Sequence, residues 1–438
     1  MYDFLMIGGG VLGCAFAREL SRYGVKVAVA EAKTDVCAAE TRLGGVICAA
    51  HALTSPRPVA ARYAVRGEKM FAAYSASLEA SYSRTGCMYI FFSEDKARSF
   101  AAGCAAAGVV CRSLSPEEAE KMQPALASCT GARSVLFFPE AGVVDACAFV
   151  YALRENAQAN GADFFFGFKA DDAGRDGDLI TVSSSDGRRI TARNVVNCSG
   201  NDGGLTARSL GDLLYLKHRT FNVAVADMAS HPSMPLFYDG AGVVVPCPGG
   251  KFTVGADETD GSRETPVAAG APDSSAKLAA SAGIMPLSSF PAAFTRAYAS
   301  GGDIYIAEGS LPGVRHILGA GSDGLTIAPA LAMSFARSFG LEPRKDFRPT
   351  RRAMLRVTDL SAAERNTLAL RDPAYGRLVL ARPAVTQGEV NDAVSRGAVD
   401  VQGLDRRLLP PGVSGGVAFA AALGRAAGSS GGFFTEDK

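Results

Sequence analysis

Three glycines and one carboxylate near the start of the chain have the types and spacing of a nucleotide site. In Gly8-Gly9-Gly10-Val11-Leu12-Gly13, Gly8 permits a tight turn and Gly10 lets the backbone approach a pyrophosphate. Gly13 lets the following helix lie close to a sheet. Glu31, about 20 residues farther on, is placed to accept hydrogen bonds from the hydroxyls of a ribose.

These residues act together only if the right elements hold them. Phe4-Leu5-Met6-Ile7 is a continuous apolar run, the pattern of a strand buried on both faces. Beyond the glycines, Val11 and Ala15, with Leu12, Phe16 and Leu20 on a neighbouring row, form an apolar helix face that ends near Gly24. Val25–Ala30 reads as the second strand and brings Glu31 to its end. The free N–H groups and dipole at such a helix start favour phosphate, by about 0.3–1 kcal/mol at an exposed site. A glycine-rich turn in an ordinary α/β domain is the alternative, and it leaves the glycine spacing unexplained.

Farther along, helical spacing covers 61–81 and a strand is expected over 87–92. Ser115-Pro116-Glu117-Glu118 is a capping box, and Asp145 caps a helix running to about Asn160. Strands follow at 162–170, 179–184 and 194–198, the last ending in Ser199-Gly200. The middle is strand-rich: 221–226, 243–246 and 251–255, then 304–307 and 315–318. A second glycine-rich strand-to-helix junction, Gly319-Ala320-Gly321-Ser322-Asp323-Gly324-Leu325-Thr326, precedes a helix from Ile327 to about Phe339. It has no trailing acid, so two junctions gripping one long cofactor is the better reading. That choice favours FAD over NAD.

The net charge of +1 excludes a long-range basic field, so no nucleic-acid partner is expected. No apolar run reaches the 18–20 or so residues of a membrane span, and no secretory pattern opens the chain, so the expected location is cytoplasmic. The ten cysteines contain no CxxC pair and read as small buried hydrophobes. The four histidines are too dispersed for a zinc site, and no metal is expected. Lys217, His218 and Arg219 form a basic cluster that either orients an anionic substrate group or is a solvated strand end.

On these residues the chain resembles the FAD-dependent oxidoreductases of the D-amino-acid oxidase superfamily. Within it, the likeness is to the large subunit of anaerobic glycerol-3-phosphate dehydrogenase and to L-2-hydroxyglutarate oxidase. The likeness rests on Asp3–Glu31, Gly45-Val46-Ile47, Pro139-Glu140-Ala141-Gly142-Val143-Val144-Asp145, Val195–Gly200, and Gly324-Leu325-Thr326 with Ala328-Pro329-Ala330.

The resemblance implies an α/β (α+β) fold. A discontinuous Rossmann-like FAD-binding domain would span 1–85, 145–215 and 303–345, with an interleaved mixed or antiparallel substrate sheet from 86–144 and 216–302. By carry-over, Gly8, Gly10 and Gly13 would face the pyrophosphate and Glu31 the ribose. Arg42 and Gly45 would lie near the flavin, Ala170 near the adenine, and Gly200 beside the phosphates. Gly324, Leu325 and Thr326 would lie at the pyrimidine end of the ring.

The third region, 346–438, holds a small helical module over about 370–430. Tyr375–Val379, Val385–Val390 and Gly403–Arg407 resemble an iron–sulfur module that needs four cysteine thiolates. Leu380 and Arg382 stand at the first cysteine pair, and no cysteine follows Cys247, so no cluster is expected.

The substrate side also departs from the family. Cys48 occupies a position where such relatives carry histidine, and His51 is either a replacement base or an ordinary polar residue of the loop or domain interface. The stretch 297–303 lacks the family's arginine, leaving Arg296, with His218 and Arg219, as candidates for the substrate's acidic group. The expected activity is hydride transfer from a small hydroxy or amino compound to FAD, with electrons passing to an acceptor or partner subunit. The alternative is an FAD-binding, catalytically reduced structural or regulatory subunit.

Overall fold

The computed structural model describes residues 1–39, 45–129, 131–226, 232–239, 242–247, 251–261, 290–299, 302–410 and 413–429. The chain divides into two compact units, Met1–Arg351 and Arg352–Lys438.

The first unit is built on two sheets. One runs in the order Asp172–Asp176, Leu179–Ser183, Arg189–Asn197, Tyr2–Ile7, Val27–Glu31, Asp163–Phe166. Arg189–Asn197 forks: its first half pairs antiparallel with Leu179–Ser183, and its last residues pair parallel with Val314–Leu318. Five parallel strands therefore end on one edge, at Ile7, Glu31, Phe166, Asn197 and Leu318. In such sheets ligands bind outside the carboxyl ends of the strands. Each strand here is followed by one of the segments singled out above.

The first helix, Val11–Leu20, has no wet face: all ten of its residues are buried. The expected amphipathic stripe is thus only part of its packing surface. The helix is enclosed by the sheet and by the helices Ala146–Ala159 and Gly324–Arg337. Its two charged residues, Arg18 and Glu19, satisfy each other at 2.5 Å, and the Tyr74 hydroxyl donates to Glu19 at 2.7 Å.

The second sheet runs Phe290–Ala299, Leu216–Ala226, Lys251–Gly261, Gly242–Cys247, Leu236–Tyr238, Cys87–Phe91, Ser134–Phe138, Arg112–Leu114. It is antiparallel except where Leu236–Tyr238 meets Cys87–Phe91. A small sheet joins Val46–Ile47 to Gly142–Val144 and Tyr82–Ser83, fixing the loop after Gly45.

Several boundaries differ from the pattern-based expectation. The helix expected over 61–81 is Pro58–Ser77, because Asp303 caps it from 243 residues away, accepting from Val59 and Ala60 N–H at 2.7 and 3.0 Å. The late helix starts at Gly324, not Ile327, and ends at Arg337. The strand expected over 162–170 is only Asp163–Phe166.

The second unit has its own core of Val385, Val390, Ala393, Leu404, Leu408, Phe419 and Ala422. Thr386 and Glu389 form the expected capping box for the helix Gln387–Ser395. Glu389 is fully buried and also accepts from Arg356 at 2.9 Å.

Candidate active site

The first junction is a cradle with no room for side chains. Gly8 adopts a positive φ of 114°, and a Cβ there would lie 2.8 Å from the Cys198 carbonyl oxygen. A Cβ at Gly13 would lie 1.9 Å from the Gly8 carbonyl oxygen. Gly10 is the N-cap and offers no side-chain bond, and no acid stands in the first turn. The helix's first N–H groups are therefore left for an anion.

Glu31 closes the cradle. Its carboxylate accepts from Gly9 N–H at 2.6 Å and Lys33 N–H at 2.7 Å. Burial raises its carboxyl above the ordinary glutamate value, partly offset by those two N–H donors. Gly200, with φ 59°, opens the turn after Asn197, and the Asn197 side chain braces that turn through Gly203 and Ser199. Ala170 is buried in the apolar layer that also contains Ile7 and Ala30. Arg42 lies outside the described residues.

The second junction is built differently. Asp323 is its N-cap, but the side chain is turned away from the helix and almost wholly buried. One carboxylate oxygen pairs with Arg57, whose other nitrogen donates to the carbonyls of Gly319 and Ala320 at 3.1 and 3.0 Å. The other oxygen lies 2.9 Å from Nδ1 of His51. Ser322 Oγ is 3.2 Å from the same nitrogen. An ionised carboxylate can only accept, so this contact places a hydrogen on Nδ1, and the neutral form of such an imidazole has its lone pair on Nε2. The imidazole is half-buried and lies beside the Phe237 ring of the second sheet, at 5.8 Å between centroids.

The floor between the junctions is held tightly. Thr326 Oγ1 accepts from Cys48 N–H at 3.3 Å, and Glu68 accepts from Ala49 N–H at 2.9 Å. Gly67 lets its helix cross Gly324–Arg337, since a Cβ there would meet the Thr326 carbonyl at 1.8 Å. A Cβ at Gly324 would meet the Val11 side chain and the Ala320 Cβ at ordinary contact distances of 3.6 and 3.9 Å, and the Gly324 N–H, with those of Leu325 and Thr326, starts the helix.

His218 Nε2 lies 3.1 Å from the Asn201 carbonyl, so it supports the Gly200–Asp202 turn. Arg219 stands in register with Arg296 across Leu216–Ala226 and Phe290–Ala299. The latter strand approaches both the Gly200–Asp202 and Gly321–Asp323 turns. Asp323, Arg57 and Glu68 were missed as site residues in the sequence reading. Their only signal was charge within or just after glycine- or proline-containing segments, which does not reveal a partner 266 residues away. Among the described residues no group of three or more His, Cys, Asp or Glu could hold a metal, and no helix is long and apolar enough to cross a membrane.

A parallel sheet with a side-chain-free phosphate cradle, facing a second sheet across an oriented imidazole, defines a dinucleotide-dependent redox fold. Residues 3–338 match the family model described as FAD dependent oxidoreductase (DAO), and the chain belongs to that family. FAD is its cofactor, and the cradle's geometry fits one.

A glycerol 3-phosphate dehydrogenase from Caloramator mitchellensis is 26% identical over 93% of this chain and 90% of its own. An L-2-hydroxyglutarate dehydrogenase from Escherichia coli K12 is 21% identical over 46% of this chain and 48% of its own, so that match spans about half of each. The solved L-alpha-glycerophosphate oxidase from Mycoplasma pneumoniae superposes with a TM-score of 0.72, at 20% identity, over 80% of this chain and 98% of that one. Glycine oxidase from Geobacillus kaustophilus gives 0.68 at 20% identity, over 79% and 96%. These structures share the fold.

Proposed function

We propose that this oxidoreductase oxidises a small hydroxy compound of the glycerol-3-phosphate or 2-hydroxy-acid type, with His51 as the general base. The observation that carries this reading is the Arg57–Asp323–His51 chain at the start of the helix Gly324–Arg337. Asp323 fixes the imidazole's tautomer and orientation, so Nε2 accepts the hydroxyl proton as the carbon loses hydride. Bound FAD supplies the hydride acceptor. The carry-over assigns Gly8, Gly10 and Gly13 to the pyrophosphate and Glu31 to the ribose. It also assigns Ala170, Gly200, Arg42 and Gly45 to the remaining contacts, and Gly324, Leu325 and Thr326 to the ring's pyrimidine end. Arg296 and Arg219, at paired positions, are the candidates for the substrate's anionic group.

The second unit has no cysteine, so a four-thiolate cluster has no ligands there. An acceptor or partner subunit, in the cytoplasm, would take the electrons with no iron–sulfur relay in this unit.

The test is anaerobic bleaching of the flavin by glycerol 3-phosphate, 2-hydroxyglutarate and amino acids in turn. Bleaching by a hydroxy compound, lost in His51→Gln, is expected. Bleaching by amino acids alone would overturn the substrate class. No bleaching by any of them would favour the catalytically reduced subunit.

A further inference from the structure

We propose that His316 and Asp212 are positioning residues for the cofactor: through Asn197 they set the turn that closes the phosphate cradle. The proposal rests on the assignment of Gly200 to the phosphates.

Asn197 and His316 are almost wholly buried and stand in register across the parallel pair Arg189–Asn197 and Val314–Leu318. Asn197 Nδ2 lies 2.9 Å from the Gly203 carbonyl oxygen and 3.1 Å from His316 Nδ1. Asn197 Oδ1 accepts from Ser199 N–H at 3.3 Å and from the Ser199 hydroxyl at 2.7 Å. Beyond the imidazole, His316 Nε2 lies 2.9 Å from Asp212 Oδ2. Asp212 is partly exposed, and Ser310 donates to its Oδ1 through the hydroxyl and, at 2.9 Å, through N–H.

Each proton along this line is fixed by its neighbour. A carbonyl can only accept, so the amide nitrogen of Asn197 faces Gly203, and the same nitrogen faces His316. His316 Nδ1 is therefore the acceptor, and the hydrogen sits on Nε2, where the Asp212 carboxylate receives it. Burial opposes ionisation of Asp212, but hydrogen bonds from Ser310 and His316 hold its carboxyl below the ordinary aspartate value. Gly309 makes room for the ion contact, since a Cβ there would lie 2.7 Å from Asp212 Oδ2 and 3.1 Å from His316 Nε2.

The line ends at the cradle and not in the core. Cys198 N–H donates to the Ile7 carbonyl at 3.0 Å. A Cβ on Gly8 would lie 2.8 Å from both the Cys198 carbonyl oxygen and Ser199 Cα, so the turn and the first cradle glycine are in backbone contact. An imidazole that stopped accepting at Nδ1 would orphan one buried amide hydrogen of Asn197. Turning the amide to relieve it would set its oxygen against the Gly203 carbonyl and its nitrogen against Ser199 N–H. The turn would then shift, and Gly200 with it.

The experiment is release of FAD from the full-length holoenzyme on dilution, followed by the fluorescence of freed flavin, with thermal melts of the same samples. In His316→Gln the longer amide reaches the place of Nε2 beside Asp212 and leaves no acceptor at that of Nδ1. In His316→Asn the shorter amide puts its oxygen where Nδ1 stood. Both should melt earlier, yet FAD affinity should fall by about tenfold only in His316→Gln and stay near wild type in His316→Asn. Affinity unchanged in both variants, or lowered equally in both, would overturn the proposal and leave the cradle assignment intact. The FAD-loaded wild type should also show a nitrogen–nitrogen NMR coupling across the hydrogen bond from a side-chain amide to an imidazole. Its absence would overturn the proposal even if a variant fails to fold. Wild-type protein that binds no FAD would sink the cofactor assignment first, and this inference with it.

Discussion

The two strand-to-helix junctions look alike in the sequence and differ in what fills them. At Gly8–Gly13 every side chain that could crowd the turn is absent, and the helix N-terminus has no side-chain cap. At Gly319–Thr326 the same backbone plan carries a buried carboxylate, tied to one arginine and one histidine. Under the proposed function, the first junction offers a ligand backbone groups and the Glu31 carboxylate, and the second adds a side-chain relay that ends at His51. On that reading one local geometry serves binding in one place and proton transfer in the other, and the side chains of the cap tell them apart.

The sharpest way to break this contrast is at the relay. His51→Gln should lower the rate of anaerobic flavin reduction by about 10²–10⁴-fold while FAD content stays unchanged. Asp323→Asn should do likewise, and should also lower the unfolding temperature because it leaves the Arg57 guanidinium buried without its charge partner. Loss of FAD from His51→Gln would mean that the second junction binds rather than reacts.

Gly10→Val attacks the other side of the comparison. FAD affinity should fall by about tenfold or more, roughly 1.4 kcal/mol, seen as less released flavin per protein. Undiminished FAD would refute the cradle.

Glu31→Gln should act more gently and reveal itself through pH. The ionised carboxylate is the better acceptor for ribose hydroxyls, and burial holds the Glu31 carboxyl above its ordinary 4.5. Wild-type affinity should therefore fall as pH drops through that raised value, whereas the glutamine variant should show no such fall. Equilibrium dialysis of FAD across acidic pH checks this. Thr386→Ala lies outside both junctions. It should cost the second unit about 1 kcal/mol through loss of its helix cap, seen in thermal melts, without touching flavin reduction.

The cradle was legible because its logic is local. Strand, glycines, helix and acid lie within 31 residues, and each choice follows from backbone sterics. The relay was not legible, because His51 and Asp323 are 272 residues apart and meet only once the sheet is assembled. Cys48 and Cys87 are free and buried, as small hydrophobes are, and their 3.5 Å contact has no signal in a spacing of 39 residues. The first helix exposed a different limit. Its apolar rows point to one buried face, but Arg18 and Glu19 are buried as well, since a polar pair that satisfies itself leaves no mark in a hydrophobicity pattern. His218 shows the converse, a residue suited to chemistry that instead holds a carbonyl.

The forked strand Arg189–Asn197 has a consequence for how the molecule comes into being. Tyr2–Ile7 is flanked by Val27–Glu31 on one side and by this strand on the other. The strand itself is flanked at its far end by Val314–Leu318. A growing chain therefore presents its first strand with one open hydrogen-bonding edge until residue 197 has been made, and the edge beside that residue stays open until 318. Loop closures of that span are slow, and open edges invite pairing with other chains. Assembly of the flavin cradle thus waits on the synthesis of most of the first unit, and nascent fragments ending before residue 318 are the ones that would call on chaperones.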